Sequence, residues 1–411
     1  MAYRDDITAL SPDHLWPLEA DSNDDVGSVN GTNTSIVFTA TACCEDASNA
    51  AQSNATGDRI DFTTSTDIDG ALDRKVVTGW LRVSQIQGPP KSIWREGTTG
   101  SQFNIVMWAG NVVMLDIVSG STVLQVTSDQ IFQPGRNYHI CAVFEGTGFG
   151  DRAALYIDGV EQSGTQDAGS LTEIASRAAA EMCDPSGSTE VGNATVLLNA
   201  PVNGNYNFWA TFSAANAVLT DAEIREELFE KGALPGATIS SDTEANMQTA
   251  LDALADSVRG DEPLNIRIEA VTGDGTLNLT ADNITHDALS SIHIQYMGTG
   301  TLNYTNTNGA DATIGSTPNG GTINFINPAT LTVTPLIADS EVRFYTSGTT
   351  TELAGVESSG TSFSSSVSAS SVDIVIHKQD YQNLRITAVD MTSGDVSVPV
   401  QQIFDRQYEN A

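Results

Sequence analysis

The sequence predicts a mainly β chain, and three observations carry that prediction. Short runs rich in Val, Ile and Thr recur along all 411 residues and alternate with Ser, Asn and Gly, the texture of half-buried strands. Gly, Asn and Asp punctuate these runs closely enough, over the first half, to leave no room for long helices. Apolar residues make up 40% of the chain, enough for sizeable cores, and the length favours two or three domains over one.

Residues 1–235 read as one sandwich of antiparallel sheets, built from SIVFTATACC, GDRIDFTT, KVVTGWLRVS, FNIVMWAGNVVMLDIV, TVLQVTS, YHICAVFE, AALYIDGVEQ, TEVGN and YNFWATFSA. It closes on a helix. Thr220 and Glu223 form a capping-box pattern, Ile224, Leu228 and Phe229 an apolar stripe, and Gly232 with Pro235 a stop. Residues 236–261 are expected to be a helical linker, capped by Asp242, with Met247, Leu251, Leu254 and Val258 on one face.

From 262 to 330 a Gly-Thr-Leu/Ile-Asn element recurs at Gly275, Gly300 and Gly321. That spacing fits a small β module, either a β-roll or solenoid of stacked short strands or an ordinary small sandwich. In residues 331–411, Val372, Ile374 and Ile376 alternate with Asp373, Val375 and His377, and Val342 and Phe344 with Arg343 and Tyr345. This strict alternation argues for an Ig-like or transthyretin-like β-sandwich of six or seven strands.

Charge excludes several partners. Eighteen Lys and Arg stand against 52 Asp and Glu, a formal net charge of −34, so the field repels phosphate backbones and anionic lipid surfaces. Neither nucleic acid nor membrane is an expected partner. The N-terminus lacks a charged segment followed by an apolar one, and no stretch approaches the ~20 apolar residues of a membrane span. Cys43, Cys44, Cys141 and Cys183 show no metal-ligand spacing. They are expected as reduced core thiols, with a Cys44–Cys183 or Cys43–Cys141 bridge left open.

The features Tyr3 to Trp16, Gly79-Trp80, Ser92 to Gly97, Phe103 to Asn111, Asn137 to Gly146, Ala154 to Gln162 and the terminal LTDAEI resemble the concanavalin A-like lectin or laminin-G-like jelly roll. The C-terminal stretches SEVRFYTSGTTTELAGVESSGTSFS, VDIVIHKQDYQNLRI and VPVQQIFDRQYENA are similar to domains of tailed-bacteriophage structural proteins. These resemblances imply a virion component assembled in a host cytoplasm, a capsid decoration or tail fibre with other virion proteins as partners. They further imply a homo-oligomer, with a trimer preferred, and a lectin-like domain for host-surface glycans.

Candidate sites are sparse. Trp94 and Trp108 offer aromatic platforms for a sugar, and Arg95 a hydrogen-bonding partner. Asp67, Asp69 and Asp73 place hard oxygens on a loop turned by Gly70, as Ca2+ requires, and Asp21, Asp24 and Asp25 do so on another. Glu19 and Asp21 supply only half of a glucanase carboxylate pattern, and the five histidines accompany no nucleophile elbow. The expected function is therefore binding or building, not turnover. A dedicated glycan-binding adhesin is the alternative, and a glycan hydrolase a third reading.

Overall fold

The computed structural model of the chain describes residues 3–405, apart from 56, 86–89, 99, 109, 164–169, 178–179, 184–187, 192–193, 198–201, 203, 214–218, 242, 255–262, 270–274, 288–289, 308–311, 327–328, 368, 370 and 392–394. It divides into two units: residues 1–236 with 259–265 and 289–292, and residues 237–258, 266–288 and 293–411.

In the first unit two antiparallel sheets face each other. The eight-stranded sheet runs in the order Val160–Glu161, Arg152–Ile157, Asn137–Glu145, Arg74–Val83, Gly204–Ser213, Ala50–Ser53, Val37–Ala40, with His14–Trp16 also paired to Gly204–Ser213. The seven-stranded sheet runs Thr122–Thr127, Val113–Ser119, Ser101–Met107, Lys91–Thr98, Ala180–Met182, Arg59–Phe62, Gly31–Thr34. Strand alternation sorts the side chains. Val77, Leu81 and Val83 meet Phe103, Ile105, Leu115 and Ile117 between the sheets, while Val76 and Trp80 face the other way.

That second apolar face cannot stay wet, and it is roofed by the helix Tyr3–Ala9 and by residues 221–230. Tyr3 Oη donates to Leu228 O at 2.6 Å and accepts from Trp80 Nε1 at 2.8 Å. Thr220 and Glu223 form the expected capping box, each side chain holding the other's backbone N–H. Beyond one α-turn, Ile224–Glu230 winds as a π-helix, a register that the apolar stripe does not announce. Gly79 is required by packing, because a Cβ there would stand 2.4 Å from the Trp209 ring. All four cysteines are buried, and none of them is in a disulfide.

In the second unit the short module is a parallel stack. Thr276–Asp282, Thr301–Thr307 and Thr322–Ile326 pair in parallel with Asn278, Asn303 and Asn324 in line. The asparagines form a ladder, Asn303 donating to Asn278 at 2.8 Å and Asn324 to Asn303 at 2.9 Å. A second sheet, in the order Pro235–Ile239, Leu264–Ile268, Ile292–Tyr296, Gly315–Ser316, ends in a parallel pair. Thus the recurring element marks solenoid rungs.

The expected linker differs in two ways. Its first residues join the strand Pro235–Ile239, and its helix is Glu244–Asp252, capped by Thr243. Met247 and Leu251 are buried as expected, whereas Asp242 and Val258 lie outside the described residues. The remaining seven strands make a sandwich of a three-stranded and a four-stranded sheet. Val342, Phe344, Val372, Ile374 and Ile376 fill its core.

Candidate functional site

The outward face of the seven-stranded sheet carries a row of polar residues that crosses every strand. Register places Thr32 opposite Asp61, Asp61 opposite Glu181, Glu181 opposite Arg95, Arg95 opposite Asn104, Asn104 opposite Asp116 and Asp116 opposite Gln125. On the other six strands the neighbour one position along, Ile60, Met182, Trp94, Phe103, Leu115 or Leu124, points into the core, whereas Gly31–Thr34 is largely exposed. Period-two alternation thus aligns the row without any sequence motif.

The row is graded in exposure. Asn104 and Asp116 are fully buried at its centre, while the side chains of Asp61 and Glu181 at one end are 34% and 32% exposed. Asp116 accepts from Gln125 Nε2 at 2.7 Å and from Gln102 Nε2 at 3.2 Å. Arg59 Nε holds Asp61 at 2.9 Å and Arg95 Nη1 holds Glu181 at 3.4 Å. On the same face Trp108 packs on Val106 and Met114. Backbone-fixed carboxylates and a guanidinium on the same face as an indole match the chemistry of a hydroxyl-rich ligand, which presents paired donors and acceptors around an apolar ring face.

Of the sequence candidates, Arg95 and Trp108 therefore share this face. Trp94 does not. It is fully buried between the sheets, stacked on Trp209 with ring centroids 6.0 Å apart, and its Nε1 donates to Glu96 at 2.7 Å. A β-bulge between Ser92 and Trp94 turns it inward, so its ring has no face left for a ligand.

Asp67, Asp69 and Asp73 do not converge on a cation. Asp67 bonds the Ser65 hydroxyl and lies 3.1 Å from His14 Nε2, close enough for attraction though not aligned as a hydrogen bond. Asp69 is buried near Lys75, Glu96 and Arg177, and burial raises its pKa, as does the Glu96 charge. The Asp73 carbonyl accepts from Gly146 N at 2.7 Å. Asp24, on the other acidic loop, is spent on structure: it accepts from the backbone N–H groups of Leu15, Val26, Gly27 and Val29, and pairs with His14 Nδ1 at 2.5 Å. Among the described residues no three His, Cys, Asp or Glu are grouped to hold a metal ion.

Two further clusters escaped sequence reasoning. Glu96, fully buried, takes Lys75 Nζ and Arg177 Nε, each at 2.9 Å, and both cations also donate to Ile68 O. This knot joins the two sheets, since Lys75 and Glu96 belong to opposite ones. His286 and His293 stack 5.2 Å apart in the second unit, and burial lowers both pKa values, that of His286 to about 4. The one legible signal for the polar row was a lone Asn in FNIVM and a lone Asp in VMLDIV, polar residues inside otherwise apolar strands.

No family model and no curated protein matches the sequence. Among solved structures, domain 4 of AbnA, a GH43 extracellular arabinanase from Geobacillus stearothermophilus in complex with arabinotriose, aligns at TM-score 0.39 and 15% identity, over 53% of this chain and 97% of that one. The botulinum neurotoxin serotype G binding domain aligns at TM-score 0.39 and 11% identity, over 52% and 50%. Trypanosoma rangeli sialidase aligns at TM-score 0.36 and 12% identity, over 53% of this chain and 32% of its own.

Proposed function

We propose that this protein is a non-enzymatic, surface-displayed binding component whose first unit takes a host-surface glycan on the polar row. The observation that carries the reading is the row, Asp61, Glu181, Arg95, Asn104, Asp116 and Gln125 in continuous register on one sheet face, whose solvent-open end at Asp61 and Glu181 receives the ligand while the buried Asn104 and Asp116 brace it, with Trp108 on the same face. Its setting, in this reading, is the exterior of a tailed-phage virion, which the resemblance of the C-terminal stretches supports. There many copies would multiply a weak single-site affinity.

The test is a glycan array probed with the full chain, with Glu181→Ala and with Trp108→Ala, each with and without EDTA. Binding that both substitutions reduce at least about tenfold supports the reading, and its survival in EDTA identifies the site as metal-independent. Silence across the array, or binding indifferent to both substitutions, refutes it.

One observation favours a hydrolase: Asp61 and Glu181 stand directly opposite each other, and retaining cleavage needs two carboxyl groups about 5 Å apart. Each is held by an arginine and open to water, unlike the desolvated proton donor that such chemistry uses. Polysaccharide turnover abolished by Glu181→Gln would reverse the assignment.

A further inference from the structure

Among the described residues, the parallel stack in the second unit is closed at one end only. Thr301 N donates to Gly275 O at 3.1 Å, so in the alternating bonding of a parallel ladder residues 276, 278 and 280 turn their backbone groups outward. The helix Glu244–Asp252 meets them there. Glu244 accepts from Asn278 N at 3.1 Å, and Gln248 accepts from Thr280 N at 2.9 Å while donating to Thr280 O at 2.6 Å. Two side chains one helical turn apart stand in for a missing strand.

Among the described residues the opposite end has no such device. Thr322 N donates to Gly300 O at 2.9 Å, so residues 322, 324 and 326 face the preceding rung and the N–H and C=O of Ile323 and Phe325 face away from it. Among the described residues these groups make no hydrogen bond. Thr322 and Asn324 are exposed, Ile323, Phe325 and Ile326 are half-buried, and Ile314 beside the second sheet is 37% exposed. An open, partly apolar edge is what an added strand occupies.

Charge selects the occupant. Copies of a chain with net charge −34 repel each other over most of their surface, yet residues 312–338 contain no Asp, Glu, Lys or Arg. The edge is also self-complementary. Antiparallel pairing about a dyad at Asn324 sets Ile323 against Phe325 of the second copy, and both residues turn their backbone groups outward. About four backbone hydrogen bonds form, with the apolar side chains facing each other on one side and the two Asn324 amides on the other.

We infer that Thr322–Ile326 is a homodimer edge, at which two copies of this chain pair antiparallel around Asn324. A contact about a dyad is used up after two chains, so it builds a dimer and no filament. An edge of five residues is a small interface, so association depends on concentration. The inference is independent of the glycan reading.

Sedimentation and disulfide trapping of the full chain test it. The wild type is expected in a monomer–dimer equilibrium, and Asn324→Lys, which sets two like charges at the dyad, weakens it at least about tenfold while the circular dichroism is unchanged. Asn324→Cys places two Cβ atoms about 4.5–5.5 Å apart across the dyad and oxidises to a covalent dimer. Thr322→Cys does not, because its two copies lie about 13 Å apart, four residues along the strand. The native thiols are all buried and leave the reading clean. A wild type that remains monomeric at every soluble concentration overturns the inference, as does an assembly indifferent to Asn324→Lys or equal trapping at 322 and 324. If Asn324→Lys fails to fold, the cysteine pair decides alone.

Discussion

Replacing Glu96 by Gln tests the idea that the first unit is locked by a buried ionic knot. The carboxylate accepts Lys75 Nζ at 2.9 Å, Arg177 Nε at 2.9 Å and Trp94 Nε1 at 2.7 Å, and the side chains of Lys75, Glu96 and Arg177 are all 0% exposed. Gln keeps the shape but turns an NH2 group onto one of these donors and leaves Asp69 as the carboxylate near the two cations among the described residues. Stripping one partner from a buried ion pair costs roughly 3–5 kcal/mol. For a unit of about this size each kcal/mol lowers the melting midpoint by about 2–4 °C, so a fall of about 6–20 °C is expected. Calorimetry of the full chain reads it directly. Lys75→Met in the same molecule removes one charge of each sign, and the double variant should recover about 0.5–3 kcal/mol relative to the sum of the singles. A loss below about 1 kcal/mol, the scale of an exposed pair, refutes the reasoning.

Gly79→Ala drives a methyl group into the Trp209 ring, 2.4 Å from its nearest atom, and should cost about 1–3 kcal/mol or more in urea unfolding. Thr220→Ala removes one half of the capping box and should cost about 1 kcal/mol by the same measurement. Burial pulls the His14 pKa down, but Asp24 and Asp67 outweigh it and the net shift is upward. Its stabilisation is therefore full below about pH 6.5 and lost as pH rises through the folded value. Asp24 shifts the opposite way: burial raises its pKa, but His14 and backbone N–H groups outweigh it and lower it, so its share is lost as pH falls through a value below the usual carboxylate range. His14→Gln should accordingly flatten the wild-type decline in melting midpoint above about pH 6.5. His286 moves downward, to about 4, through burial and then the His293 charge. Its neutral form stabilises above about pH 6.5, and that stability drains between about 6.5 and about 4; His286→Phe should reduce this sensitivity in the second unit's transition to the share left by His293, whose pKa burial also lowers.

Much of the architecture was legible because it rests on local patterns. Val372, Ile374 and Ile376 announced their strand by alternation and Thr220 and Glu223 their helix start by capping chemistry, while the repeat at Gly275, Gly300 and Gly321 left a stack and a small sandwich both open until the parallel pairing decided. The candidate site was legible only in pieces. Arg95 and Trp108 were singled out, yet Trp94 was grouped with them because an indole looks the same in sequence whether a bulge turns it inward or not. The acidic loops read as cation ligands because carboxylate density is visible, whereas Asp24 bonding four backbone N–H groups is a property of folded geometry.

Sequence by itself determined the strand-rich class, the recurring Gly-Thr-Leu/Ile-Asn element and the strongly negative charge, all consequences of composition and short-range periodicity. Only tertiary structure decided which polar residues stand side by side. Asp61, Glu181 and Asp116 are far apart along the chain, and strand register is set by the packing of the apolar faces beneath them, so their alignment has no signature until the sheets have closed on their common core.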